Sequence, residues 1–391
     1  MRLRSPQAGS DGLLVKLAVI SMLALMTGFS LVAVPCAGAS SSTYPVSTIN
    51  VGTSPDGVAV NPHTQLVYVS NYDDNNVTVI NGTTNKVVMN ITVGNSPMGI
   101  AVNPSTGMLY VVNSGDDNVS VIDPSTNEVK VNITVNILPI AVAINPTTGS
   151  VYVVNNNANS VSVINGSTNR VVANVTVGEF PNAVAVDSIT GTVYVVNNYD
   201  NSVSVINGST NTVIATVDVG NVPDAVAVDS SKGLVYVANN EDGTISVLSG
   251  KTYTVVRNIT LADGLSAIAI DSSAGKIYVA NENHNNVAVL DRSTYKLLAT
   301  IPVGMFPNAI AVDSAKGRVY VANFFDNTVS VIGLSTITTT TASTSQPALT
   351  PGSILLVTAV IVVIVAVAAT CLLARRRRRR GASPLPPARS P

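Results

Sequence analysis

The side chains that could do chemistry are scarce, and most of them carry one sign of charge. The only histidines are His63 and His284, too few for a His-rich copper centre, and the only cysteines, Cys36 and Cys371, fall in apolar runs near the ends. Glu282 and His284 have the types of an acid/base pair, yet one His in an Asn-rich segment reads first as a solvated loop residue. No nucleophile elbow, phosphate loop or zinc motif appears. The sequence therefore points to no catalytic residue, no metal-ligating set and no required cofactor. What remains is carboxylate. Asp56, Asp73, Asp74, Asp116, Asp117, Glu179, Asp200, Asp224, Glu241, Asp242, Asp263, Glu282 and Asp326 all lie in polar connections rich in Gly, Asn and Pro. Acidic loops with Asn offer the hard oxygens that calcium prefers, so calcium is the one metal this composition suits. The spacing matches no EF-hand loop, however, and Asp73-Asp74 and Asp116-Asp117 are adjacent pairs of the kind found in solvated turns.

The elements that must position these residues follow from a repeat. Tyr stands at 68, 110, 152, 194, 236, 278 and 320, every step being 42, and each opens a Tyr-Val-x-Asn tetrapeptide ending at Asn71, Asn113, Asn155, Asn197, Asn239, Asn281 or Asn323. Each unit holds short alternating apolar runs separated by turn residues, which are the marks of strands. In the second unit the runs are residues 99–103, 108–113, 119–123 and 129–135. Four strands in about 40 residues make a propeller blade, so the spacing predicts an all-β, seven-bladed β-propeller over residues 46–332. The first run, residues 46–51, has the phase of a fourth strand, while the last unit stops after its third. The N-terminal strand is thus expected to complete blade seven and hide the edges of an open array.

Tyr110-Val111-Val112-Asn113, followed by Asn118–Asp123 and Ile133-Thr134-Val135, resembles the YVTN-type β-propeller repeat of microbial, especially archaeal, cell-surface and surface-layer proteins. The likeness recurs seven times, although the third motif position is Ser, Val or Ala and never Thr. It implies a fold and a location on the cell surface, and it implies no reaction.

Residues that recur in every blade call for a structural role first. The motif Asn residues are expected to open the turn between second and third strands with left-handed backbone. Asn61, Asn103, Asn145, Asp187, Asp229, Asp271 and Asp313 are expected to end the first strands in Asx turns, and the Tyr series to pack between blades. Antiparallel blades place the fourth-to-first and second-to-third connections on one face, called the top. That face holds all thirteen acids named above and no base, whereas the eleven bases from Lys86 to Arg318 belong to bottom loops or outer strands. A one-signed face attracts opposite charge, and a basic partner is one reading of it; solubility and turn formation are the other. Phe180, Phe306, Phe324, Phe325, Met98 and Met305 also occupy top connections, where exposed aromatics mark contact sites for a protein or glycan unless they merely pack over the ring. Nine Asn-x-Ser/Thr sequons, at Asn76, Asn81, Asn90, Asn118, Asn132, Asn165, Asn174, Asn207 and Asn258, are candidate glycosylation sites.

The ends suggest a compartment. Residues 1–39 run from a basic start through an apolar stretch to Ala37-Gly38-Ala39, the order of a signal peptide, with 40–45 a short linker. Residues 333–352 are a Thr/Ser/Pro-rich stalk, 353–374 an uncharged transmembrane helix and 375–391 a basic tail carrying seven Arg. Arg beside a span stays on the cytoplasmic side, so the expected topology is a single-pass membrane protein with its propeller extracellular. The formal net charge of -1 conceals a central region of -10, from 11 bases and 21 acids over residues 40–374. Nothing in this balance suits nucleic acid. The reading that results is a non-catalytic surface module that binds a protein, a glycan or an envelope partner, with a lyase- or lactonase-type propeller enzyme and a structural coat subunit as alternatives.

Overall fold

A computed structural model of the chain describes residues 44–334. The expected signal peptide, transmembrane helix and basic tail lie outside those residues, as do most of the linker and stalk. Among the described residues no helix is long and apolar enough to cross a membrane.

The described residues form 28 strands in seven four-stranded antiparallel sheets. In the second unit the strands are Pro97–Val102, Leu109–Asn113, Asn118–Asp123 and Glu128–Thr134, within two residues of the runs read from the sequence. Six blades are continuous in the chain. The seventh joins Pro307–Asp313, Arg318–Asn323 and Thr328–Gly333 to the N-terminal strand Val46–Asn50, in the register Val46↔Ile332 to Asn50↔Thr328. A propeller closed this way replaces one covalent connection with a ladder, so no inner strand is left without a neighbouring blade.

The core lies between blades. One cluster joins Tyr68, Val77, Val79 and Ile91 of blade one to Ile100, Leu109, Val111 and Ile122 of blade two. All seven motif tyrosines are buried. Tyr152 donates its hydroxyl to the Gly208 carbonyl of the next blade at 3.3 Å, and Tyr320 reaches Gly82 across the closing seam at 3.2 Å. Near the axis the blades converge and side chains shrink to Ala and Gly. A Cβ added at Gly99 would sit 2.8 Å from the Ile140 carbonyl oxygen of the neighbouring first strand.

The Asx turns are as expected: Asn61 Oδ1, for instance, accepts the amides of His63 and Thr64. The motif Asn residues behave differently from expectation. Positive φ falls four residues later, at Asn75, Asp117, Asn159, Asn201, Gly243, Asn285 and Asn327. The motif side chain instead spans the blade: Asn197 Nδ2 donates to Ser202 and Ser204 hydroxyls on the third strand, at 3.0 and 2.9 Å. A side-chain amide that finds two acceptors in the sheet does not need the turn.

Candidate functional site

Each first strand begins with a β-bulge. The register shifts between Pro181 and Ala183, between Pro223 and Ala225 and likewise in blades three, six and seven, while in blades one and two the gap is a residue wider, Pro55 to Val58 and Pro97 to Ile100. The bulged residue is left out of the ladder and its side chain is re-aimed, which is a common use of a bulge. Seven blades therefore present seven equivalent side chains around the top of the central channel: Asp56, Met98, Ile140, Asn182, Asp224, Ser266 and Asn308, all lining one cavity of about 770 Å³.

This ring breaks the repeat in an ordered way. Five neighbouring blades, from four through seven and on to one, supply Asn182, Asp224, Ser266, Asn308 and Asp56; the remaining two supply Met98 and Ile140. Within the polar arc, amides hold acids. Asn308 Nδ2 donates to Asp56 Oδ2 at 2.8 Å, and Asn182 Nδ2 donates to Asp224 Oδ1. Behind them Asn240 Nδ2 donates to Glu282 Oε1 at 3.0 Å. Among the described residues, Asp56 Oδ1 and Asp224 Oδ2 accept no hydrogen bond from the protein. No Lys, Arg or His lines the cavity.

The mouth also carries aromatic side chains, on blades seven and one. Phe306 and Phe324 line the cavity with Tyr72, and Phe306, Phe324 and Phe325 form one cluster with ring centroids 4.7 to 6.2 Å apart. Phe325 is 60% exposed. Phe180 stands on a different loop, 5.9 Å from Tyr199. Met305 is exposed and Met98 belongs to the ring. Phe180 and Phe306 both have positive φ, 49° and 55°, a strained state for an aromatic residue; the equivalent loop position in every blade shares it, so the strain comes from the bulged entry turn.

Carboxyls at the mouth are poorly solvated because the inner strands of seven blades surround them, although each keeps part of its surface accessible. Burial pushes Asp56 up to about 7, against the opposing pull of the Asn308 hydrogen bond. Burial does the same to Asp224, also about 7, helped by the Glu282 charge, opposed by the Asn182 bond and helped a little by Asp56. Glu282 is raised by burial, with Asn240 opposing. Asp224 ionises against the charges of both Glu282 and Asp56, and no base lines the cavity to offset them.

Seven of the other acids of the top face serve the loops. Asp74, Asp116, Asp200, Asp242 and Asp326 each accept the amide of a residue in the loop entering their own blade, at 2.7 to 2.8 Å. Asp117 accepts the Leu138 amide at 2.8 Å and Asp73 the Ser54 hydroxyl at 2.5 Å. Glu179 is exposed. His284 stands where five blades have the loop-holding Asp, and its Nδ1 lies 2.9 Å from Asn281 Oδ1. Among the described residues no group of three or more His, Cys, Asp or Glu is placed to hold a metal ion. The structure thus brings together Asp56, Asp224, Glu282, Phe306 and Phe324, and leaves Asp73, Asp74, Asp116, Asp117, Phe180 and His284 on separate loops. Asn182 and Asn308 were missed in the sequence; their signal was the break at the residue following the first-strand Pro.

Of the sequons, Asn90, Asn132, Asn174 and Asn258 are exposed on outer strands and Asn165 at the end of a third strand, whereas Asn76, Asn81, Asn118 and Asn207 are half-buried. The Asn132 and Asn174 side-chain carbonyls accept the Ser120 and Ser162 hydroxyls.

No family model and no curated protein sequence matches the chain. Among solved structures its fold is similar to "Kuenenia stuttgartiensis Hydrazine Synthase", with a TM-score of 0.66 and 22% identity over 73% of this chain and 97% of that one. At that identity the likeness is one of fold alone, and the chain is a seven-bladed β-propeller.

Proposed function

We propose that this protein is a non-catalytic cell-surface propeller, of the YVTN surface-protein kind, that holds an extracellular partner in the top mouth of its central channel. The observation that carries the reading is the bulge ring, in which a seven-fold repeat becomes a contiguous polar arc facing an apolar one. A purely architectural channel gains nothing from that asymmetry, whereas a site with a few convergent polar groups and an apolar wall is the usual form of a ligand pocket. The signal peptide and transmembrane helix expected from the sequence support a mouth outside the cell, with glycans on Asn90, Asn132, Asn174 and Asn258 around its perimeter. The test is capture of envelope components by the full-length protein: Asp224→Asn with Phe324→Ala should lose a partner that the wild type retains. Equal capture by both would remove the mouth from the function.

Two alternatives each have one observation behind them. A coat role is favoured by Val88, Val172, Val256 and Leu297, apolar residues more than half exposed on outer strands, where copies could meet side by side. A lyase- or lactonase-type activity is favoured by Asp56 and Asp224, whose values near 7 suit proton transfer. Turnover of a lactone that disappears in Asp224→Asn would establish the second.

A further inference from the structure

The mouth also indicates the kind of group it receives, given the binding-module reading above. Three features converge there. Asp56 and Asp224 each spend one carboxylate oxygen on an Asn of the preceding blade and leave the other without a protein donor among the described residues. Glu282 and Asp56 both lie close enough to Asp224 to set their charge against its ionisation, while no Lys, Arg or His lines the cavity to balance them. The wall beside them, on blades seven and one, contains Phe306, Phe324 and Tyr72, whose ring faces carry the negative part of the aromatic quadrupole.

We propose that the channel mouth binds an organic cation, a protonated amine or a guanidinium, with the charged head between Asp56 and Asp224 and the apolar stem against Phe306 and Phe324. An anion is repelled by every ionisable group at the mouth. A bare metal ion lacks the clustered ligands it needs, since no group of three or more His, Cys, Asp or Glu is so placed among the described residues. A neutral ligand leaves the desolvated acids uncompensated. An organic cation supplies donors to the free oxygens, balances the charge where water cannot, and gains a further attraction from the rings. The cavity, about 770 Å³, admits either a free small amine or a Lys or Arg side chain presented by a partner protein.

The experiment is calorimetric titration of the full-length protein with putrescine, with Gly-Lys-Gly and Gly-Arg-Gly amide peptides, and with 1,4-butanediol as the uncharged match to putrescine, at pH 8 and low salt. The expected result is saturable binding of at least one cation, at least tenfold tighter than the diol. Binding should weaken tenfold or more in Asp56→Asn and in Asp224→Asn, weaken in Phe324→Ala, and stay unchanged in Asp116→Asn, whose carboxylate serves a loop. Tighter binding of a peptide than of putrescine assigns the cation to a protein partner, and the reverse order to a free amine. Diol or a neutral oligosaccharide bound as tightly as the amines through the same residues overturns the cation but leaves the mouth as the site. Absence of saturable cation binding, or binding indifferent to Asp56→Asn and Asp224→Asn, overturns the proposal.

Discussion

Asn308 donates its side-chain amide to Asp56 at 2.8 Å across 252 residues of sequence, from blade seven to blade one. The bond crosses the seam where the ring closes, so this channel-mouth acid is held by Asn308 only when the last blade is docked on the first. The same amide-to-acid step, Asn182 to Asp224, recurs between blades four and five. Closure of the fold and definition of the mouth are one event.

Strand Val46–Asn50 should therefore control both. Ile49 is 7% exposed in the core between blades seven and one, whereas Val46 on the same strand is 40% exposed. Ile49→Asp places a charge in that apolar contact and should cost about 3 kcal/mol or more, while Val46→Asp should be close to neutral. Urea unfolding of the two variants of the full-length protein checks this through the difference in their midpoints.

The acids at the mouth should make stability fall toward alkaline pH. Asp56 and Asp224 have folded values raised from the ordinary 3.8 to about 7, so their contribution is complete below about 4 and is lost as pH rises through 7. The groups that face them are each other and Glu282, which is raised as well, with Asn182 and Asn308 as the neutral partners. Asp187 and Asp271 act oppositely, because hydrogen bonds outweigh burial and hold them low, but their loss begins only in more acidic solution. Between pH 5 and 8 the melting temperature should decline. Asp224→Asn should flatten that decline and raise the value at pH 8 by several degrees, since each kcal/mol moves Tm by roughly 2–4 °C in a domain of 150–250 residues.

The loop-holding acids should be dispensable to binding and useful to stability. Asp116 accepts both the amide and the side chain of Asn95 at 2.8 Å. Asp116→Ala should cost about 1 kcal/mol, as loss of a capping acceptor does, and Asp116→Asn should recover part of it. Thermal unfolding reads the difference, with ligand capture unchanged in both.

Much of this architecture is legible before any coordinates, because it is local and repeated. Tyr68 to Tyr320 at a step of 42 fixes the blade count, and the phase of residues 46–51 identifies the closing strand. The mouth was harder to read. Pro55 and Pro223 end the apolar alternation, so Asp56 and Asp224 look like loop residues until the bulge turns them inward. The loop-holding acids look like a free charged face because their acceptor role depends on amides 21 residues away. One signal was available. Gly94 stands under Asp116, where an added Cβ would lie 2.6 Å from the carboxylate. Where that Gly becomes Asn136 the acid is Ala158, and where it becomes Ala262 the acid is His284. The paired exceptions mark the acid and its loop as one unit.

The hydroxyls under the motif Asn residues offer a comparison internal to the chain. Ser204 accepts the buried Asn197 amide at 2.9 Å, whereas blade six has Ala288 there and Asn281 turns to the Asp263 carbonyl at 2.7 Å. Ser204→Ala should cost about 1–2 kcal/mol, by leaving a buried donor short of an acceptor. Ala288→Ser should change stability by less than about 0.5 kcal/mol, because Asn281 already has its partners. Paired urea midpoints decide.

The central claim, that the mouth and not the perimeter meets the partner, is most directly tested by hydrogen–deuterium exchange on the full-length protein with and without its captured envelope partner. The expected result is new protection at residues 55–58, 223–226 and 324–326, with the outer strands unchanged. Protection confined to outer strands such as Lys86–Thr92 and Leu297–Pro302 would contradict it and make the protein a coat subunit.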